Sequence, residues 1–281
     1  MTLRSYSSIP RRRTVTESTD MTYFDTHAHY YDERFAEEAE GGADALISEH
    51  LGSDVSYIVN VGTAPETSRQ AIAQAKKYKN MYTAIGIHPS DARLIDDLES
   101  ALKETEALIL DKESKCVALG EIGLDYHYPD TDKDMQMRVF RAQMQMAERL
   151  GLPVVIHDRD SHEDVMSVIR EYPMVKGVLH SFSGSSEMAK ELVKLGYMIS
   201  FSGTVSFKNA RRPKEACAAV PLDRILIETD CPYLAPHPLR GTLNHSGNLS
   251  YTCAAVAEVK GISLEECAKI TEENARRFFK I

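Results

Sequence analysis

Eight short apolar segments rich in β-branched residues recur along this chain and alternate with longer segments of helical period. The predicted strands cover residues 22–25, 56–61, 81–86, 116–120, 153–157, 177–180, 197–201 and 225–228. The predicted helices between them include residues 66–78, 98–112, 135–150, 160–170 and 187–195. Regular alternation of strand and helix predicts a parallel sheet, because each helix returns the chain to the same end of the sheet.

Polar residues follow nearly every predicted strand, and this placement distinguishes between two parallel-sheet architectures. A closed barrel gathers all its strand ends around one mouth, whereas an open doubly wound sheet gathers them at one crevice. Eight units in about 250 residues also match the usual size of a barrel. We therefore predict an α/β fold in which residues 21–281 form a single (β/α)₈ TIM barrel of parallel strands, with extra C-terminal helices from Leu249 to Phe279 packed outside it.

Residues 1–20 differ in composition from the rest of the chain. They contain Arg4 and the run Arg11 to Arg13, they are rich in Ser and Thr, and no apolar segment of the kind that a secretory signal requires follows them. We predict a disordered tail or a mis-assigned start, since Met21 directly precedes the first strand, in preference to an organelle transit peptide.

Composition excludes several classes of protein. No segment approaches the roughly 18 consecutive apolar residues of a membrane span. The five cysteines are odd in number and widely spaced, which favours reduced thiols in a cytoplasmic protein over a disulfide framework. The net charge of −9 argues against a broad basic surface for nucleic acid, although bound cations and a few local Arg or Lys could still hold a phosphate-bearing substrate. The sequence lacks the motifs of nucleotide-dependent, redox and serine-hydrolase enzymes, so no nucleotide cofactor is predicted.

Histidines lie at the ends of three predicted strands. His27 and His29 follow the first strand, and residues two apart on a strand point to the same side, so both imidazoles can reach one cation. His157 and His180 each end a later apolar strand. A single histidine of this kind is more often a hydrogen-bonded structural residue, but two in successive units after a histidine pair favour a metal site.

Two carboxylates complete this set. Glu121 follows an apolar strand between two glycines, a context that suits close approach to a ligand, and its two oxygens could bridge two cations. Asp230 follows the last strand, where one oxygen could hold a metal and the other accept a proton from an activated water. Capping of a turn is the alternative role for Asp230. Cys231 beside it is predicted to pack in the core.

Together these side chains offer mixed nitrogen and oxygen ligands, which suit one or two divalent ions such as Zn²⁺, Mn²⁺, Mg²⁺, Ni²⁺ or Co²⁺ better than a calcium cage or a thiolate cluster. The predicted metal ligands are His27, His29, Glu121, His157, His180 and Asp230.

The motifs resemble those of the TatD-like metal-dependent deoxyribonucleases of the amidohydrolase superfamily, from about Phe24 to the C-terminus. The motifs that carry the resemblance are Asp25-Thr26-His27-Ala28-His29, Gly86-Ile87-His88-Pro89, Gly120 to Tyr126, His157 to Asp160, His180 to Gly184, Ser202-Gly203 with Phe207-Lys208-Asn209, and Glu228 to Leu234. The resemblance implies a TIM-barrel hydrolase that uses divalent metals to cleave the phosphodiester bonds of DNA.

When the family's ligand roles are carried over motif by motif, the resemblance implies two metal sites. His27, His29, Glu121 and Asp230 would hold one metal, and Glu121, His157 and His180 would hold a second. It also implies that Asp230 is the catalytic acid and base, with Glu121 part of the same catalytic centre. The predicted substrate-binding residues are Arg159, Lys208 and Arg240, as phosphate contacts or as ordinary rim charge, and His88, which follows the third strand and is expected to orient substrate.

One segment departs from the family pattern. After Pro238-Leu239-Arg240-Gly241 the family usually shows an Asn, an acidic residue and a Pro, whereas here Asn244 is followed by His245 and Ser246. This segment is expected beside the mouth, so the departure bears on substrate preference.

Two other functions are compatible with the same ligands, because such a site activates water without fixing what the water attacks. The first is a carbon-centred hydrolase that acts on an amide, a lactone or an aminoacyl ester, and an apolar substrate pocket would favour it. The second is a non-catalytic metal-binding protein of a repair or processing assembly, and a blocked mouth would favour it.

Overall fold

The computed structural model describes residues 21–281, so the predictions for residues 1–20 lie outside it. Its strands are β1 (Tyr23–Ala28), β2 (Val55–Val61), β3 (Met81–Ile85), β4 (Cys116–Asp125), β5 (Val154–Arg159), β6 (Gly177–Leu179), β7 (Met198–Phe201) and β8 (Ile225–Ile227). Each corresponds to one predicted strand, but β4 continues five residues beyond its predicted end at Gly120. Strand β5 also continues beyond its predicted end at His157, to Arg159.

The helices lie between the strands and after β8. They are α1 (Arg34–Glu38), α2 (Gly42–His50), α3 (Pro65–Ala75), α4 (Pro89–Ala92), α5 (Leu98–Leu110), α6 (Lys133–Leu150), α7 (His162–Glu171), α8 (Ser186–Lys194), α9 (Arg211–Ala219), α10 (Leu249–Lys260) and α11 (Leu264–Phe279). Helix α6 shows how local sequence sets such bounds. The Asp132 side chain accepts a hydrogen bond from Met135 N (2.9 Å) at its start, and Gly151 ends it with a positive φ of 65°.

The eight strands form one sheet in sequential order, and every neighbouring pair is parallel. The sheet closes where the end of β1 meets the segment after β8. There, His29 N donates to Cys231 O (2.8 Å) and Asp230 N donates to His27 O (2.9 Å). This closure confirms the predicted barrel and brings the first and last predicted ligand segments together. Among residues 21–281, no helix is both long and apolar enough to cross a membrane.

Alternate residues of the strands fill the barrel interior, as expected for a packed barrel core. The interior cluster includes Phe24, Val59, Val61, Ala84, Ala118, Val155, Val178, Met198 and Leu226. Ala275 and Phe279 of α11 join it, and the Phe279 ring lies 5.9 Å from that of Phe24. Both C-terminal helices pack outside the barrel, as predicted, and the end of α11 also covers the opening at the amino ends of the strands.

Two buried glutamines of α6 fix the ends of β3 and β4. Gln143 accepts a hydrogen bond from Ile87 N (2.8 Å) and donates one to Ile87 O (3.0 Å). Gln136, two helical turns earlier, makes the equivalent pair of bonds with Asp125 N (2.9 Å) and O (3.0 Å). Each amide thereby satisfies both backbone groups of one residue near the mouth of the barrel.

We expect Gln143→Ala to lower the free energy of unfolding by about 2–4 kcal/mol, because both buried backbone groups of Ile87 lose their partner. Chemical denaturation of wild type and variant measures this difference. Gln145→Ala is the matched control, since Gln145 is exposed on the same helix, and its effect should stay within about 0.5 kcal/mol. Equal stability of the two variants would show that the Ile87 contacts contribute little.

Candidate metal centre

Register shifts in β1 and β4 occur at the predicted ligands. In β1 the chain advances from Asp25 to Ala28 while its partner β2 advances only from Ile58 to Asn60. In β4 it advances from Leu119 to Ile122 while β5 advances only from Val154 to Ile156. Such bulges locally redirect side chains and are common beside active sites. His27 and Glu121 lie inside these two irregular steps, at the carboxyl-terminal half of the barrel.

His27, His29 and Asp230 form the first group of potential metal ligands. The Nε2 atoms of His27 and His29 are 3.0 Å apart, which confirms that the two rings point to the same side. Asp230 Oδ1 lies 3.3 Å from His29 Nε2 and 3.7 Å from His27 Nε2. Glu121 Oε2 lies 3.4 Å from His27 Nε2, so this group borders the glutamate.

The second group surrounds the other oxygen of Glu121. Oε1 lies 2.7 Å from His180 Nε2 and 2.9 Å from His157 Nδ1. His88 Nε2 is 3.4 Å from the same oxygen, and His88, Glu121 and His157 are close enough to hold one ion. The structure thus brings all six predicted ligands into one cluster and adds His88, which the sequence placed only near the site. Their role as ligands remains a prediction.

The hydrogen bonds of the histidine Nδ1 atoms that face away from the cluster explain why the donor set fits divalent cations. His29 Nδ1 lies 2.8 Å from Val61 O, which can only accept, so Nδ1 carries the proton and Nε2 presents a lone pair to the cluster. His180 Nδ1 similarly faces Glu228 Oε1 at 3.3 Å. Its Nε2 lone pair then points at a carboxylate oxygen of Glu121 only 2.7 Å away. Two such acceptors are stable together only with a proton or a cation between them, as in a metal site.

Electrostatics within the cluster agree with this interpretation. Burial by itself would raise the pKa of Glu121, but the imidazoles of His180, His88 and His27 together hold that pKa well below its usual range. Burial would likewise lower the pKa of His180, but the neighbouring Glu121 and Glu228 carboxylates raise it well above its usual value. The Glu121 and Glu228 carboxylates therefore favour positive charge at His180, whereas burial lowers the pKa of His27 and of His88.

Asp25 of β1 supports the site by binding the segments that follow β8. It accepts hydrogen bonds from Thr229 N (3.0 Å), from Thr229 Oγ1 (2.6 Å) and from Ser246 Oγ (2.7 Å). Burial raises the pKa of Asp25 to about 6, although these hydrogen bonds act in the opposite direction. Asn244 Nδ2 donates to Thr229 O (2.9 Å). The segment that departs from the family pattern thus braces the backbone next to Asp230, and its buried Asn244 and Ser246 serve as structural supports.

The three predicted phosphate contacts are exposed at the rim. The Arg159 guanidinium lies over the ring of Tyr128, at 5.7 Å from the ring centroid. The Arg240 guanidinium lies over Phe207 at 4.2 Å, and Lys208 is the next residue along the chain. Arg159 is the last residue of β5, and Lys208 and Arg240 lie in segments after β7 and β8, so none of the three belongs to the ligand cluster.

Sequence reasoning missed two carboxylates that contact the ligands. Glu228 is buried and accepts a hydrogen bond from Ser181 N (2.7 Å) while facing His180 Nδ1. Asp125 Oδ2 lies 3.3 Å from His157 Nε2, within ion-pair distance. The two groups are not aligned for a hydrogen bond. The sequence did hold a signal for Glu228. It precedes Asp230 by two residues at the end of an apolar strand, and residues two apart on a strand point to the same side.

The structure is a (β/α)₈ barrel with a cluster of histidines and carboxylates, able to hold divalent metal ions, at the carboxyl ends of its strands. A sequence model described as TatD related DNase matches residues 24–280. This protein belongs to the TatD-related family.

Similar proteins agree with this membership. The metal-dependent hydrolase YabD of Bacillus subtilis is 43% identical over 92% of this chain and 99% of its own length. YcfH of Escherichia coli K12, also described as a metal-dependent hydrolase, is 35% identical over 93% of this chain and 97% of its own. The crystal structure of YjjV, a TatD homologue from E. coli K12, superimposes with a TM-score of 0.85 at 27% identity, covering 92% of this chain and 98% of YjjV. The protein is therefore a metal-dependent hydrolase.

We expect Glu228→Gln to weaken metal binding about 10- to 100-fold, because the carboxylate that orients His180 through Nδ1 is replaced by a neutral amide. Titration of the apoprotein with Zn²⁺ against a chelator of known affinity measures the change. Glu215→Gln, in exposed helix α9, is the control and should bind Zn²⁺ like the wild type. Unchanged affinity in Glu228→Gln would mean that His180 is oriented by its backbone alone.

Proposed function

We propose that this protein is a deoxyribonuclease that cleaves phosphodiester bonds of DNA with a metal-activated water. The observation that carries the proposal is the position of Glu121, whose two oxygens face two different groups of imidazoles. Such an arrangement suits a pair of cations, and paired cations are typical of enzymes that displace groups at phosphorus. The family description as TatD related DNase supports the same substrate.

In this proposal His27, His29, Glu121 and Asp230 hold one ion, and Glu121, His157 and His180 hold a second. When bound, the ions supply Lewis acidity that lowers the pKa of a water molecule and neutralises charge on phosphoryl oxygens. Asp230 is the natural proton acceptor, because its side chain is 15% exposed whereas that of Glu121 is only 4% exposed. After bond cleavage the same carboxyl group can return the proton to the leaving oxygen.

The rim supplies the remaining parts of the proposed function. In this proposal the exposed Arg159, Lys208 and Arg240 contact phosphates that flank the scissile bond, and His88 orients the substrate beside Glu121. A cleft of about 370 Å³ lies next to the cluster, because Asp125 lines it and Asp125 Oδ2 lies 3.3 Å from His157 Nε2. The side chains of His157 and Asp230 are 18% and 15% exposed, which supports catalysis over the alternative of a metal-binding protein with a blocked mouth.

The test is hydrolysis of an end-labelled DNA oligonucleotide by protein of measured metal content, with Mg²⁺, Mn²⁺ or Zn²⁺ added. We expect cleavage that depends on metal and stops when a chelator is added. The same preparation is assayed with a lactone, an aryl ester and an aminoacyl ester. Hydrolysis of one of these in metal-loaded protein that leaves DNA intact would replace the nuclease with the carbon-centred hydrolase.

A further inference from the structure

The cleft beside the ligand cluster has features that the proposed chemistry does not use. It is lined by Asp125 at the end of β4 and by residues of the segments after β3 and β4, among them Ser90, Arg93 and Tyr128. Asp125 belongs to both places, because it lines the cleft and its Oδ2 lies 3.3 Å from His157 Nε2. A group bound in the cleft would therefore lie directly beside the reacting centre.

Tyr128 is a large aromatic side chain that lines this cleft and is nevertheless 55% exposed. Its ring is held by two neighbours. The Arg159 guanidinium lies over it at 5.7 Å from the centroid, and the His127 ring meets it edge-on at 5.2 Å. His127 is fixed in turn, since its Nδ1 lies 3.0 Å from Asp160 Oδ2. An oriented aromatic ring with more than half of its surface exposed offers a face on which a second planar group can stack.

The charge of the cleft indicates what kind of planar group would bind there. Asp125, Asp130 and Asp132 line it together with a single cation, Arg93, and Arg93 already lies 3.8 Å from Asp130. These carboxylates would repel a phosphate. They would accept hydrogen bonds from the amino and imino groups of a neutral ring. The volume of about 370 Å³ is within the range of pockets that hold small molecules.

We propose that Tyr128, with Arg159 packed against it, forms a nucleobase-stacking subsite that holds the nucleotide next to the scissile bond. This inference rests on the proposed nuclease function. The base stacks on the Tyr128 ring and directs its polar edge toward the aspartates, while Arg159, which does not line the cleft, remains available to the phosphate. Tyr128 is thus a specificity-determining residue that contacts the substrate outside the bond that breaks.

The test compares a DNA oligonucleotide with versions in which one nucleotide near the cleaved bond lacks its base. Stacking on an aromatic side chain contributes about 1–3 kcal/mol per base, so we expect one abasic position to lower wild-type kcat/KM about 10- to 100-fold. Tyr128→Ala should lower kcat/KM for the intact oligonucleotide by a similar factor, mainly through KM. It should leave cleavage of the abasic oligonucleotide unchanged, so the ratio between the two substrates falls to about one.

Two variants make the comparison specific. Tyr128→Phe keeps the ring and should retain the preference for the intact base. Tyr251→Ala removes another exposed tyrosine, 41% exposed on α10, and should behave like the wild type. If Tyr128→Ala cleaves DNA and still prefers the intact base as strongly as the wild type, the subsite is wrong and the nuclease proposal stands. If metal-loaded wild type cleaves no oligonucleotide at all, both proposals fail.

Discussion

Asp230→Asn is expected to lower kcat for hydrolysis by about 10²- to 10⁴-fold while the fold is retained. The amide cannot accept the proton of the attacking water, and general acid–base groups contribute rate factors of this size. Asn is the suitable replacement because Asp230 has a positive φ of 58°, a conformation that Asn tolerates better than most residues. The measurement is the single-turnover rate of oligonucleotide cleavage at saturating metal.

The control for this prediction is Asp223→Asn, which makes the same chemical change at an exposed position near the amino end of β8. It should cleave at the wild-type rate. Full activity of Asp230→Asn, with metal content equal to that of the wild type, would assign proton transfer to another group.

Glu121→Gln is expected to remove most of the bound metal and to reduce activity by on the order of 10³-fold or more. This carboxylate contacts both groups of imidazoles, so a neutral amide there weakens both ion sites at once. Metal content after dialysis, measured by elemental analysis, reports the loss directly. The control is Glu191→Gln, which removes the ion pair of Glu191 with Arg170 on the surface of α8. It should retain the metal content of the wild type.

The outcome for Glu121→Gln also distinguishes a bridging role from a simpler one. Loss of one ion per protein with the other retained would show that Glu121 belongs to a single site. Complete retention of metal would contradict its place in the centre, and the neighbouring histidines would then have to hold the ions with Asp230 alone.

The barrel could be predicted from the sequence because the sequence patterns that indicate it are local. Period two placed His27 and His29 on one side, and apolar runs ending in polar residues located the mouth. The extension of β4 could not be foreseen in this way, because Gly120, Glu121 and Gly123 are weak strand formers. Pairing of Ile122 to Asp125 with Ile156 to Arg159 of β5 keeps that segment extended, and this pairing depends on residues distant in the chain.

Other parts of the site depend on similarly long-range contacts. Glu228, after β8, faces His180, after β6, across the intervening β7. His88, after β3, reaches Glu121 of the neighbouring β4. Gln136 and Gln143 appear as ordinary polar positions of α6 in the sequence. Their function as backbone partners of Asp125 and Ile87 follows only from how the helix lies against the sheet.

The covering of the barrel by α11 has a consequence for how the protein is made. Strand β8 ends at Ile227, yet the opening at the amino ends of the strands is filled by Phe279, far later in the chain. A nascent chain in which all eight strands have left the ribosome therefore still exposes an apolar opening beside Phe24 and Tyr57. During that interval it is a candidate for chaperone binding, because exposed apolar surface on incomplete chains favours aggregation.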